Sequence, residues 1–249
     1  MAALVALPAL GQGPTANGPP TTERSGLREY VPGLKIDWTN RHIEIDSEVV
    51  LRKGPLELLA CSPKTREHES ILVVRPRPLH IFQALGLIGL TPGAPVRYDE
   101  AKERWLPPDG EQVGIRIRYR DDRGEREVAA AEWLRTTKDK KVPSDMTWVF
   151  AGSGKLEDGR FLADLDGTVI CVVDFDSALV AVGSLHTADN ELLWLEANTD
   201  AIPAAGTPCT IVIGPEKGSP SPKAPAKVKA VEESAKPGDN PAPNGSDQD

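Results

Sequence analysis

The sequence predicts an α+β fold: a mostly antiparallel β-sheet domain with one main helix, flanked by disordered termini. Three observations lead there. Most of the chain is a series of short runs in which apolar and polar residues alternate, the period of a half-buried strand. A single run has helical spacing and helical end signals. Both ends of the chain lack the large apolar residues from which a core is built.

Taken in order, residues 1–28 read as a signal-peptide remnant and linker. "MAALVALPALGQG" is a short apolar run followed by small residues, with Ala9 and Gly11 at the −3 and −1 positions of a cut before Gln12, although no basic residue precedes the run. Residues 29–214 read as one globular domain. Strands are expected at "LKIDW" (34–38), "HIEIDSEVV" (42–50), "PLELLAC" (55–61), "ESILVV" (69–74), "VGIRIRYR" (113–120) and "REVAAAEWL" (126–134). They continue at "TWVFAG" (147–152), "RFLADL" (160–165), "TVICVVDF" (168–175), "NELLWLEA" (190–197) and "TPCTIVIG" (207–214). The helix is "PLHIFQALGLIGL" (78–90). Pro78 suits its first position, Thr91-Pro92-Gly93 ends it, and Ile81, Phe82, Leu85 and Ile88 share its buried face. From residue 215 onward the chain is rich in Pro, Lys, Glu and Ser and reads as a disordered tail.

Composition excludes several classes. A net charge of −8 and a pI near 5.2 argue against nucleic acid as a partner, because phosphate binding needs a clustered positive surface. No run reaches the eighteen or so apolar residues of a transmembrane helix. Three cysteines, Cys61, Cys171 and Cys209, are too few and too far apart for a disulfide framework, a zinc ribbon or an iron–sulfur cluster.

The fragments "KGPLELLAC", "EHESILVV" and "LHIFQALGLIGL", followed by "WVFAGSG", "FLADLDGTVICVV" and "DFDSAL", resemble the bacterial YdjY-domain family in order and spacing over most of residues 35–181. That resemblance implies an exported protein of unknown activity and supplies no catalytic residue. Family labels that mention a ferredoxin-like character imply a cluster that these three cysteines do not provide.

The densest group of reactive side chains is "CSPKTREHES" (61–70). If the strands on either side form a hairpin, its loop brings Cys61 near His68, while Glu67 and Glu69 alternate to the other face unless the loop twists them inward. A thiol next to an imidazole can be activated or can bind metal. The plainer alternative makes Cys61 a small buried hydrophobe and the other three the polar dressing of a turn. His80, at the helix start, is about 20 Å from that loop and belongs to the helix's polar side.

Other motifs are incomplete. Asp164-Leu165-Asp166-Gly167-Thr168 reproduces a DxDGT phosphatase signature. It comes late in the chain, and the segment after it reads as another strand, with Asp166-Gly167 as a hairpin turn. "AGSGK" lacks the first glycine and the final hydroxyl of a phosphate loop, and "LLAC" lies too far from the N-terminus for a lipoprotein box. Arg116, Arg118 and Arg120 line one face of a strand and form a candidate ligand-binding stripe, with Asp121, Asp122, Glu125 and Glu127 near enough to neutralise it. Of the five tryptophans, Trp105 in the loop "KERWLPPDG" is the candidate for exposed binding.

Two functional readings follow. The first is a non-catalytic, exported domain, in the periplasm or cell envelope, that binds an unknown protein or small ligand; a cytoplasmic location is the alternative. The second is a thiol- or metal-dependent redox or catalytic protein centred on Cys61 and His68. No cofactor is predicted, and a metal at that pair stays open.

Overall fold

A computed structural model describes residues 26–189 and 193–216. The expected leader, most of the tail and the start of "NELLWLEA" lie outside the described residues. The chain forms β1 (Leu27–Val31), β2 (Leu34–Asp37), β3 (His42–Val49), β4 (Leu58–Cys61), β5 (Ser70–Val74), α1 (Pro78–Leu87), β6 (Pro92–Ala94), β7 (Arg97–Asp99), β8 (Arg104–Leu106) and β9 (Asp109–Gly110). It continues with β10 (Gln112–Asp121), β11 (Gly124–Ala129), β12 (Leu134–Thr136), β13 (Trp148–Val149), α2 (Leu162–Asp166), β14 (Thr168–Cys171), β15 (Val180–Val182), β16 (Leu195–Ala197) and β17 (Pro208–Pro215).

Eight of these strands close a barrel in the order β3-β17-β10-β13-β15-β14-β4-β5, with β5 returning to β3. The expected α+β class is therefore corrected. Strand makes up 42% and helix 12%, so the fold is mostly β, and its sheet is closed rather than open. Closure depends on strands that divide one side between two partners. β3 pairs with β17 along one side, while the other is shared by β2 at His42–Ile45 and β5 at Ser47–Val49. β10 likewise pairs with β17 on one side and is shared by β13 and β11 on the other.

Alternation directs the side chains. In β10, Val113, Ile115, Ile117 and Tyr119 are buried, while Gly114, Arg116, Arg118 and Arg120 point away from the core. The fully buried Leu34, Ile36, Ile43, Ile45, Trp133, Phe150 and Ile211 belong to the same large core. A small satellite cluster of Leu58, Cys61, Ala151, Cys171, Ala178 and Ala181 is packed by Phe175.

Helix α1 begins at Pro78 as expected and ends at Leu87, with Ile81 and Leu85 fully buried. The Phe82 ring packs between those of Phe150 and Phe161, at 5.5 and 5.3 Å. Its free N-terminal amides are met from α2, where Asp164 Oδ1 accepts from Leu79 N at 2.9 Å and Oδ2 pairs with Arg77. Asp164 of the phosphatase-like motif thus serves as a remote helix cap.

"RFLADL" is not a strand. Phe161 and Ala163 are buried as alternation requires, but Ala163 N donates to Ser153 Oγ and the segment coils into α2, leaving Leu165 exposed. Gly167, with φ +76°, caps that helix rather than turning a hairpin. The strand expected at 168–175 stops at Cys171, and the one at 126–134 gives way after Ala129 to a 3₁₀ turn, Ala130–Trp133.

Candidate functional site

β4 and β5 run parallel, with Leu58 opposite Ser70, Ala60 opposite Leu72 and Cys61 opposite Val73. A parallel pair needs a crossover, so the tight hairpin that would set Cys61 against His68 does not form. The loop after β4 instead passes under Gly167, where Ser62 N donates to Gly167 O at 2.8 Å, and ends in a 3₁₀ turn at Glu67–Glu69. Cys61 is fully buried in the satellite cluster with Cys171, and burial pushes both thiols above their usual range. The His68 side chain is 72% exposed, and its Nε2 lies 2.5 Å from Glu69 Oε1. Glu67 Oε1 accepts from Lys64 N at 2.7 Å, which stabilises the loop. Among the described residues, no group of three or more His, Cys, Asp and Glu side chains is arranged to hold a metal ion.

A raised thiol pKa has a direct consequence. At pH 8, Cys61 in the folded protein is expected to react with iodoacetamide at least ~100-fold more slowly than a free thiol, with His68→Ala leaving that rate unchanged. Mass spectrometry of the alkylated peptide measures it, and fast, His68-dependent labelling would contradict the placement.

What the loop does assemble is a carboxyl pair that the sequence reading passed over. Glu57, just before β4, is buried; its amide donates to Glu69 O at 3.2 Å and its carbonyl accepts from Val172 N at 2.9 Å. Its Oε2 is 2.8 Å from Arg66 Nη1, which lies 3.8 Å from Glu69 Oε2. Burial, then a hydrogen bond and repulsion from Glu69, push the Glu57 carboxyl up to about 7 against the pull of Arg66. Glu69 Oε2 is itself buried without a hydrogen bond, its contact with Arg66 being a longer ion pair, so a proton on Glu57 would give the Glu69 carboxylate a donor. The Arg66 guanidinium lies 4.6 Å above the Phe175 ring, joining this pair to the next feature.

The other face of that region is a groove of about 820 Å³. One wall is an arm built from residues 92–110. β6 pairs with β9 at its base, and β7 pairs with β8 to form a hairpin at its tip, placing Tyr98 opposite Trp105. Trp105 therefore lies on a strand rather than in a loop. Its ring is 5.5 Å from that of Tyr98 in an edge-on contact, and the two side chains remain 58% and 51% exposed. Phe175 and Leu185 line the groove with them, together with Asp174 and Asp176.

Asp174 is held by exchange with His186. Asp174 N donates to His186 O at 2.7 Å, and His186 N donates to Asp174 Oδ2 at 2.8 Å. The His186 ring stacks on Trp194 at 3.8 Å, and Trp194 Nε1 donates to Val172 O at 2.7 Å. Burial raises the Asp174 carboxyl above its ordinary range and lowers the His186 imidazole below its own.

The arginine stripe is largely neutralised. Arg118 contacts Glu44 and Glu127 at 3.0 Å each, and Arg116 reaches Glu127 at 2.8 Å. Arg120 is exposed beside Arg75, Asp46 and Glu125 in a shallow depression of about 370 Å³.

The family model for the YdjY domain matches residues 34–214, from the start of β2 almost to the end of β17. The chain belongs to the YdjY-domain family. No curated protein and no solved structure matches it. In the YdjY domain the Glu57–Arg66–Glu69 cluster and the aromatic groove meet at Phe175, and Glu57, Glu69, Asp174, Phe175 and Asp176 come from the fragments on which the resemblance rested. Glu57 escaped notice because a single polar residue in "PLELLAC" looks like ordinary alternation. The available signal was its position immediately before a fully buried strand.

Proposed function

We propose that this YdjY domain is a non-catalytic, exported binding module whose ligand occupies the groove between the aromatic arm and the Asp174–Ala188 segment. The observation that carries this reading is the pair of exposed rings, Tyr98 and Trp105, which share a groove with Phe175 and are carried by an arm that is closed at its base. Leaving two large aromatic surfaces in water forgoes burial worth roughly 25 cal/mol per Å² of apolar area, and a ligand would recover it. The apolar start with small residues at Ala9 and Gly11 supports export.

Trp38, 47% exposed and not among the groove residues, is an internal control. In ¹H–¹⁵N spectra recorded with a panel of soluble aromatic fragments, the Trp105 indole Nε1–H resonance is expected to shift saturably while that of Trp38 stays in place. Trp105→Ala is expected to weaken the same fragments about tenfold, equivalent to ~1.4 kcal/mol. Shifts of equal size at Trp38 would remove the groove's claim.

A further inference from the structure

We propose that the groove selects an organic cation, an amine or quaternary ammonium attached to an apolar or aromatic body, with the Asp174 carboxylate as its counter-charge. The inference rests on the binding reading above and adds the chemistry of the ligand. It starts from the charges on the walls. Arg97 also lines the groove, but its Nη2 is 2.7 Å from Asp109 Oδ2, so its charge is already answered. Asp174 and Asp176 have no such partner: among the described residues neither forms an ion pair with Lys, Arg or His. The hydrogen bond recorded for the Asp174 carboxylate comes from the His186 backbone amide.

A half-buried carboxylate without a counter-ion lacks both full hydration and pairing, and a cation entering the groove would supply the second. Three aromatic rings, Tyr98, Trp105 and Phe175, surround the same space, and their electron-rich faces attract positive charge. Arg66 already uses Phe175 in this way from outside the groove lining. Anionic ligands would meet two carboxylates, and a neutral ligand would leave Asp174 as it is. A volume of about 820 Å³ holds a ligand of drug size, far larger than a bare metal ion.

The test uses two probes of the same shape, (4-hydroxyphenyl)trimethylammonium and 4-tert-butylphenol, which differ in a single charged centre. Followed at the Trp105 indole resonance of the full chain, the cation is expected to bind at least about tenfold more tightly than the neutral isostere. Asp174→Asn keeps an oxygen to accept from His186 N and is expected to erase most of that preference. Asp176→Asn, at an exposed position, is expected to reduce it less and serves as the second variant if the first is poorly folded. Equal binding of the two probes, or an unchanged preference in both variants, would overturn the cation assignment and leave the groove as a binding site. Failure of both probes to move the Trp105 resonance would overturn the binding reading itself.

Discussion

Replacing Glu57 with glutamine is expected to make the folded protein more stable at pH 8 by about 1–3 kcal/mol and to flatten its stability profile between about pH 4.5 and 7. The buried Glu57 carboxyl holds its proton up to about 7, whereas in the unfolded chain it releases it near the ordinary 4.5. The native state therefore binds more protons than the unfolded state across that window, and stability falls as pH rises through it. Below the window both states are protonated and the contribution is complete; above it the contribution is lost.

Glutamine imitates the protonated form at every pH. It can still donate toward the orphaned Oε2 of Glu69, while Arg66 retains Glu69 at 3.8 Å and Phe175 at 4.6 Å. Urea unfolding of both proteins from pH 4 to 8 gives a difference curve that isolates Glu57, because groups present in both proteins cancel, the raised Asp174 and lowered His186 included. A difference curve with no slope between pH 4.5 and 7 would refute the shared proton. Coincident curves at pH 4 that diverge toward pH 8 are the expected form.

The second large effect concerns the base of the aromatic arm. Gly110 has φ +144°, and a Cβ built there would lie 2.2 Å from the Phe150 carbonyl oxygen. That oxygen accepts from Gly93 N at 2.9 Å, and Phe150 N donates to Glu111 O at 2.9 Å, so backbone hydrogen bonds fasten the arm to the strand region ending at Val149. Any side chain at Gly110 must push these backbones apart. Gly110→Ala is expected to lose about 2–4 kcal/mol and to broaden the Trp105 resonance as the hairpin loosens.

Gly124→Ala is the control. Gly124 also has a positive φ, +110°, but nothing lies within 4 Å of a Cβ there, and about 1 kcal/mol is expected. Equal losses in the two variants would mean that the close approach at Phe150 contributes nothing beyond backbone strain.

These residues show where sequence reasoning holds and where it stops. β10 was legible because it alternates along most of its length, β3 and β17 because each is a long run built around spaced isoleucines, and α1 because proline and glycine mark its ends. Closure was not legible, since β3 meets β5 over only Ser47–Val49 and the two parallel pairings leave no local mark. The arm was hidden in strands of two or three residues, too short for periodicity to register. Trp105 was found because an aromatic among Lys, Glu, Arg and Pro has little reason to be buried. Glu57 acquires its character from Glu69 and Arg66, so composition around Glu57 alone could not disclose it. Asp174 figured only at the end of an expected strand and in a familial fragment, and its place in a groove depends on an arm from elsewhere in the chain.

β17 lies between β3 and β10, although the ribosome makes it long after both. At about 5–20 residues per second, roughly ten seconds or more separate the appearance of β3 from that of β17. Throughout that interval the β3 edge lacks its partner, from the synthesis of β10 onward the facing β10 edge lacks it too, and no partial product can complete the ring. Unpaired edges of this kind attract other extended chains. The nascent protein thus depends on rapid completion, or on a holding chaperone, more than a protein assembled from consecutive hairpins would.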